Sequence, residues 1–277
     1  GVKYGTVGVF DGDRVLHEVT TFRHDVRTDG RHAEVAFGVS LDEDLARRDF
    51  TVNAIAFHPL RGEWKDPFGG AEDLGRRRLR AVGDPAARFR EDYLRVLRAL
   101  RFAARLDFVI DPPTWEAACD AAGGLGQLSA ERVRDEWTKG LATTRSLRRL
   151  ISLWRKSGAA AVWLPQLRSD EELEAWKGDD APARRDPVVL TALCCHDPVA
   201  VLGRLRVANS DLARAAALVT GPPEPAGMTA RDVRRWLAAV DAAADDLAEL
   251  WQLRHARSFP WAAEVAAIRS AGTPLRR

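Results

Sequence analysis

Apolar and polar residues alternate over 4–22, YGTVGVFDGDRVLHEVTTF, with a break at Asp11-Gly12-Asp13. A period of two around an Asp-Gly turn predicts a β-hairpin, with strands near 5–10 and 14–22. The next stretch, RHDVRTDGRHAEVAFG (23–38), shows no apolar period and carries Asp29-Gly30 as a turn signal. It reads as a long mobile loop, and loops of that length in compact domains are usually functional or disordered. In SLDEDLARRD (40–49), Ser40 followed by Glu43 forms a capping-box pattern. The short helix it starts delivers Arg47, Arg48 and Asp49 at its end. FTVNAIAFHP and EWKDPF predict a second hairpin. After Gly69-Gly70 the apolar period changes to three and four and stays there, through EDLGRRRLRAV, REDYLRVLRALRFAARL, PPTWEAACDAA and SAERVRDEWTKGLA. The same period holds over 145–157, 187–206, 210–220, 229–240, 241–257 and 260–270. The pattern predicts an α+β protein, a small and mainly antiparallel sheet followed by an array of helices. No repeat of 20–50 residues is present. The charged, proline-containing KGDDAPARRDP (177–187) is the best internal linker candidate.

Composition changes this picture little. The chain of 277 residues is 46% apolar and 30% charged, with a formal net charge of +2. That length suits one large domain or two ordinary ones with a real core. Charge distribution is more telling. Between Arg76 and Arg105 ten arginines face only Asp84, Glu91 and Asp92, an excess that suits phosphate or RNA. Cys119, Cys194 and Cys195 have neither zinc-ligand spacing nor an even count for a disulfide framework, so free thiols, mostly buried, are expected. No apolar run reaches the roughly 18–20 residues of a membrane span, and residues 1–15 do not read as a signal peptide. A soluble, cytoplasmic protein is expected.

One segment has the residues for recognition chemistry. If REDYLRVLRALRF (90–102) is a helix, Asp92, Arg95 and Arg98 are three apart on one face, with Arg101 at its edge. Leu94, Leu97, Leu100 and Phe102 then line the core side. A carboxylate beside guanidiniums offers an acceptor and donors in fixed geometry, which is what reading the edge of a nucleobase requires. Spacing alone leaves open an ordinary surface ion pair, worth under about 1 kcal/mol.

The order of motifs is more specific. HEVTTFRHDVRTDGRHAEVAFG, EDLARRDFTVNAIAF, KDPFGGAEDLGRRRLRAVGDPAARFREDYLRVLRALRFAARL and SAERVRDEWTKGL follow one another. Together they resemble the bacterial and eukaryotic class of tRNA nucleotidyltransferases (CCA-adding enzymes) and bacterial poly(A) polymerases. The likeness is dense from about Gly5 to Leu141 and weaker beyond. It implies a partial nucleotidyltransferase head (palm) over 1–70. A helical neck with the nucleotide-selecting helix would follow over 71–143, and an RNA-binding helical body with the start of a tail over 144–277. RRDFTVNA corresponds to the motif that handles ribose and phosphates, which places Arg47, Arg48, Asp49 and Asn53 in that role. DPFGG with EDL (Asp66–Gly70, Glu72, Asp73) corresponds to the element joining head and neck. EDYLR corresponds to the protein template, in which Asp92 and Arg95 pair with the base of CTP or ATP while Arg98 and Arg101 line the triphosphate side. Ser129 is the expected N-cap of the last motif helix. The stretch 23–38 sits where the family has the flexible loop involved in switching from C to A addition.

The resemblance also implies Mg²⁺, held by an Asp-x-Asp pair that is expected upstream of Gly1. Asp11-Gly12-Asp13 reads as a turn and not as that pair. Glu18 matches a family carboxylate position and is the candidate third acid. GTPLRR (272–277) resembles the lead into the family's tail, so the chain is expected to be an internal fragment, inactive by itself. The implied reaction is template-independent addition of CMP and AMP to the 3′ end of tRNA. The alternatives are a poly(A) polymerase, an enzyme restricted to A or to CC, and a non-catalytic RNA- or nucleotide-binding remnant. His196-Asp197 lacks the partners of an HD-type metal site and reads as a helix-end cap. Trp137, Trp154, Trp163, Trp176, Trp236, Trp251 and Trp261 read as core anchors rather than base-stacking platforms.

Overall fold

The computed structural model describes residues 6–28, 33–175, 178, 180–182 and 185–272, with backbone alone over 23–28, over 33–37 and at 173. The alternating stretch forms the expected hairpin. β1 (Thr6–Phe10) and β2 (Leu16–Thr20) pair antiparallel, Thr6 opposite Thr20 and Phe10 opposite Leu16. Asp11 closes the turn by accepting the amides of Asp13 and Val15 at 3.0 and 2.8 Å. Its other oxygen meets His17 Nε2 at 2.7 Å. The His17 contact, then the Val15 and Asp13 amides, hold the Asp11 carboxyl below the usual carboxylate range. Asp11 and Asp13 therefore serve a turn, as their setting predicts.

Residues 23–38 depart from the expected loop. β3 (Arg23–Thr28) and β4 (Ala33–Phe37) pair antiparallel, with a register shift between Asp25 and Arg27. RHDVRT is polar, and the stretch as a whole shows no apolar period, so the pairing was not legible in the sequence. The Asp29-Gly30 turn signal lies outside the described residues, as do Gly5, Trp176, residues 177, 179, 183 and 184 of the linker candidate, and residues 273–277. The second hairpin is shorter than expected, β5 (Ala56–His58) with β6 (Glu63–Lys65). A 3-10 turn over Thr51–Asn53 replaces the first part of the predicted strand. β7 (Arg78–Leu79) and β8 (Val109–Ile110) pair in parallel. The α+β class stands, and among the described residues the strands form four two-stranded pairs rather than one sheet.

Packing divides the chain into two compact units, 1–103 with 107–128, and 104–106 with 129–277. In the second, α6 (Ala130–Thr143), α7 (Leu147–Lys156) and α10 (Pro187–Cys194) share a core. Trp137 and Trp154 meet edge to face at 5.4 Å, and the Trp137 indole donates to Thr191 Oγ1 at 3.1 Å. α12 (Asn209–Thr220), α13 (Ala230–Val240), α14 (Ala244–His255) and α15 (Ala262–Ser270) follow, with Trp236, Trp251, Phe259 and Trp261 clustered. All six described tryptophans expected as anchors are buried. The predicted 187–206 helix is interrupted. Asp197 caps α11 (Pro198–Arg204) by accepting the Ala200 amide at 2.9 Å, and Pro198 cannot continue α10. His196 binds Glu172 at 2.9 Å, so this pair is a helix-end device. Ser129 occupies the N-cap of α6, but its side chain makes no capping bond to the helix backbone. The linker candidate is tied down at Asp180, whose backbone oxygen and carboxylate accept the amides of Leu147 and Arg148. The three cysteines are free, with Cys194 and Cys195 buried; burial pushes the Cys195 thiol up to about 12.

In the first unit the capping box closes as written. Glu43 donates its amide to Ser40 Oγ and accepts the Ser40 amide at 2.8 Å, which starts α1 (Leu41–Ala46). The chain then zips against residues 80–82: Thr51 donates to the Arg80 carbonyl and Val82 to the Asp49 carbonyl, at 2.9 and 3.1 Å. Phe50 is fully buried and meets Phe102 edge on at 5.8 Å. α2 (Gly70–Gly75) begins where Asp66 accepts the amides of Gly70 and Ala71. Asp73, with no exposure, accepts the Thr51 hydroxyl at 2.7 Å and the guanidiniums of Arg78 and Arg80. These bonds explain DPFGG-x-EDL as a staple that holds the 51–53 turn. A Cβ on Gly70 would lie 2.1 Å from the Thr51 carbonyl oxygen. Gly70→Ala should therefore destabilise the protein by about 3 kcal/mol, because backbone and not a side chain must yield; chemical denaturation compared with Gly75→Ala, where space is open, checks this.

Candidate functional site

The arginines of the first unit are organised by carboxylates. Asp44, 1% exposed, accepts Arg47 Nη2 at 2.6 Å and Arg48 Nη2 at 2.9 Å. Burial raises its pKa, but the two guanidiniums outweigh this and keep it below the ordinary range. Asp49, 9% exposed, has four bonds. Oδ1 accepts the Phe50 amide at 2.9 Å and Asn53 Nδ2 at 3.0 Å, and Oδ2 accepts Arg98 Nε and Nη2 at 2.7 and 2.6 Å. An ionised carboxylate has about four lone-pair sites, so Asp49 is saturated.

The helix expected over 90–106 is broken. α3 (Pro85–Glu91) is capped by Asp84 and ends before Asp92, whose backbone is extended at φ −154° and ψ 104°. α4 (Leu94–Leu106) starts afresh, with Asp92 Oδ1 accepting the Leu94 amide at 3.0 Å. Asp92 therefore stands at the break rather than one helical turn below Arg95. The Tyr93 ring fills the space where a Cβ on Gly124 would sit, 2.1 Å away, which fixes the break against the 3-10 segment Ala121–Gln127. Leu97 and Leu100 are fully buried as expected.

Arg95 turns to Glu91 at 2.6 Å and to the carbonyls of Arg88 and Arg47, at 3.0 and 3.4 Å. Arg88 also binds Glu91, at 2.8 Å, and reaches the carbonyls of Val82 and Ala46. Burial raises the Glu91 pKa, and Arg95 and Arg88 bring it below the usual range. Thus Arg47, Arg48, Asp49, Asn53, Arg95 and Arg98 are brought together, with Asp92 at the same helix start. Two residues are not. Arg101 is 7% exposed with its guanidinium 4.4 Å over the Phe102 ring, so it does not edge an open arginine face. Glu18 lies on β2 opposite Gly8, exposed, and makes no hydrogen bond or ion pair to the cluster. Sequence reading missed Asp44, Arg88 and Glu91 as organisers. Their spacings to Arg47, Arg48 and Arg95, three or four along a helix, carried the signal.

The acid dependence follows from the lowered pKa values of Asp44 and Glu91. Both bind fewer protons folded than unfolded in acid, so their contribution is complete above about pH 4–5 and lost as pH falls through their depressed values. Thermal unfolding should be steady from neutral pH to about 5 and fall below about 4. Asp44→Asn should cost about 3 kcal/mol near neutral pH by leaving two guanidiniums short of charge, and should flatten the acid fall.

Similarity searches find relatives for both units. A family model described as "Poly A polymerase head domain" matches residues 1–80, and one described as "Probable RNA and SrmB-binding site of polymerase A" matches 107–171. A CCA-adding enzyme of Streptococcus suis (strain 05ZYH33) is 44% identical over 184 residues, 63% of this chain and 43% of the relative. One from Geobacillus sp. (strain WCH70) is 39% identical over 217 residues, 76% of this chain and 53% of the relative. The chain thus spans about half the length of these relatives. The crystal structure of the Bacillus stearothermophilus CCA-adding enzyme in complex with CTP superposes with a TM-score of 0.77 at 31% identity, over 98% of this chain and 68% of that one. With the motifs in order, the arginine cluster built on them and this match in sequence and fold, the chain belongs to the nucleotidyltransferase family of the CCA-adding enzymes and bacterial poly(A) polymerases.

Proposed function

We propose that this chain selects and holds the incoming nucleotide for template-independent addition of CMP and AMP to the 3′ end of tRNA in the cytoplasm. The observation that carries this reading is the break at Asp92, which sets a carboxylate beside an arginine held by Glu91, at the edge of a cluster rich in guanidiniums. Cytosine and adenine each present an exocyclic amine next to a ring nitrogen. A carboxylate accepts from the amine and a guanidinium donates to the nitrogen, whereas uracil and guanine offer a carbonyl where the amine would be. Asp92 takes the first role and Arg95 the second. Arg47 and Arg48 face the triphosphate with Arg98. Asp49, saturated by its own bonds, positions Arg98 and Asn53 rather than contacting ribose itself. The reaction joins the tRNA 3′-oxygen to the α-phosphorus and releases pyrophosphate.

Mg²⁺ is the metal such transfer uses. Among the described residues no group of three or more His, Cys, Asp or Glu side chains is placed to hold a metal ion. Asp44, Asp49 and Glu91 are engaged by arginines, so the described residues do not fit Mg²⁺ and no step is assigned to it here. Residues 1–277 alone should bind CTP and ATP weakly and transfer neither; measurable CMP addition by this polypeptide would contradict that.

Equilibrium titration with the four nucleoside triphosphates tests the selection. CTP and ATP should bind about tenfold or more tighter than UTP and GTP, a difference of about 1.4 kcal/mol. Asp92→Ala should erase this preference while leaving the fold intact. Equal binding of all four by the unmodified chain overturns the assignment. Because the first family model describes a poly(A) polymerase head, that activity is the second reading. For a protein that also carries the metal-holding acids, products on tRNA lacking its CCA end, with CTP alone, ATP alone and both, separate the two. Long A tails on generic RNA would favour the polymerase.

A further inference from the structure

The part of α4 that carries Arg98 also carries an aromatic ring. Arg98 and Phe102 are four apart in RALRF (98–102), so they are neighbours on the helix surface. The Arg98 guanidinium carbon lies 5.4 Å from the centre of the Phe102 ring, and that of Arg101 lies 4.4 Å from it. Both distances are within reach of cation–π attraction, in which the negative face of a ring stabilises a positive charge. Phe102 is half-buried, and the fully buried Phe50 meets it at 5.8 Å with 74° between the ring planes. The orientation of the ring is thus set from the core.

Arg98 is constrained in two different ways. Asp49 accepts its Nε at 2.7 Å and its Nη2 at 2.6 Å. Both bonds end on one oxygen, Oδ2, so that atom is a pivot about which the guanidinium can tilt. A third of the Arg98 side chain is exposed, 33%, which gives such tilting room. The Phe102 ring, fixed on the same helix and favouring a cation over its face, limits the tilt. The Arg101 guanidinium over the same ring adds positive potential beside Arg98, which suits a polyphosphate.

We propose that Phe102 is a positioning residue of the nucleotide site, its ring holding the Arg98 guanidinium by cation–π contact in the orientation that meets the triphosphate. The ring itself touches no substrate. The proposal rests on the function above for the identity of the ligand, and adds the residue that orients one of its phosphate contacts. A leucine at this position would fill much of the same volume and keep apolar contact with Phe50, but it has no π face.

Two measurements on the 277-residue chain test it. The first needs no nucleotide: side-chain NMR of arginine-labelled protein reads hydrogen exchange at Arg98 Nε. Phe102→Leu should speed that exchange about threefold or more, and Phe102→Tyr, which keeps an aromatic face, should leave it near the unmodified rate. Phe102→Met, also without a ring, should behave as Phe102→Leu does. The second is equilibrium titration with CTP, UTP and inorganic triphosphate. Phe102→Leu should lower the affinity for all three about fivefold. The ratio of CTP to UTP should not change, because Asp92 and Arg95 are untouched. Phe102→Tyr should restore most of the affinity. In an Arg98→Gln background Phe102→Leu should cost nothing further, an outcome that lost packing alone would not give. Thermal midpoints show that each titrated variant is folded. Unchanged exchange in Phe102→Leu and Phe102→Met, or an affinity loss that persists in full without Arg98, overturns the proposal. No CTP binding by the unmodified chain, or no preference over UTP, counts instead against nucleotide selection, and the exchange rates still decide whether Phe102 holds Arg98.

Discussion

Asp49 sets the geometry on which the arginine cluster depends. A carboxylate with so little exposure must have its lone pairs met from within the protein. The four donors that meet them come from two places, the turn 50–53 and the helix α4. Satisfying one residue therefore locks the turn after α1 to the helix that carries Arg95 and Arg98. The next links follow from it. Arg95 can reach the Arg47 carbonyl because α4 is held there, and Arg88 can reach the Ala46 carbonyl from the helix before it.

Two buried aspartates in the first unit show how similar chemistry divides between framework and site. Asp73 is closed off completely and uses Arg78, Arg80 and Thr51 to fasten α2 to the 51–53 turn. Asp44 is as deeply buried and holds Arg47 and Arg48, the latter with 40% of its side chain exposed. The carboxylates fix the stems of the arginines and leave donors over. Each guanidinium has five N–H groups, more than one carboxylate contact consumes. An anionic ligand then meets donors that are already oriented, which lowers the ordering cost of binding.

Much of this was legible in the residues. The Ser40–Glu43 box, the Asp11–Asp13 turn and the Asp197 cap are local, and each was readable because its partners lie within a few positions. The tryptophan core of the helical unit was readable from period alone. What was hidden depended on partners far apart in sequence. Nothing in FTVNAIAFHP announces that Thr51 will bind Asp73 or that Gly70 will press on the Thr51 carbonyl, so a strand was expected where a 3-10 turn forms. The apolar period of REDYLRVLRALRF is continuous across Asp92, and the break there depends on Tyr93 seating on Gly124, some thirty residues away. Arg101 keeps the spacing of its neighbours, but the face it occupies is covered.

That break has a consequence for recognition. On an unbroken helix, an aspartate and an arginine three apart are neighbours and tend to satisfy each other, and a pair so engaged presents little to a base. With Asp92 extended, Arg95 leans on Glu91 instead, and Asp92 accepts the Leu94 amide with one oxygen. The acceptor and the donor are kept apart. On the proposed reading, a base would meet the acceptor and the donor at two separate places. By the same reading Gly124 would matter to nucleotide choice alongside the charged residues, since a side chain there would displace the Tyr93 ring.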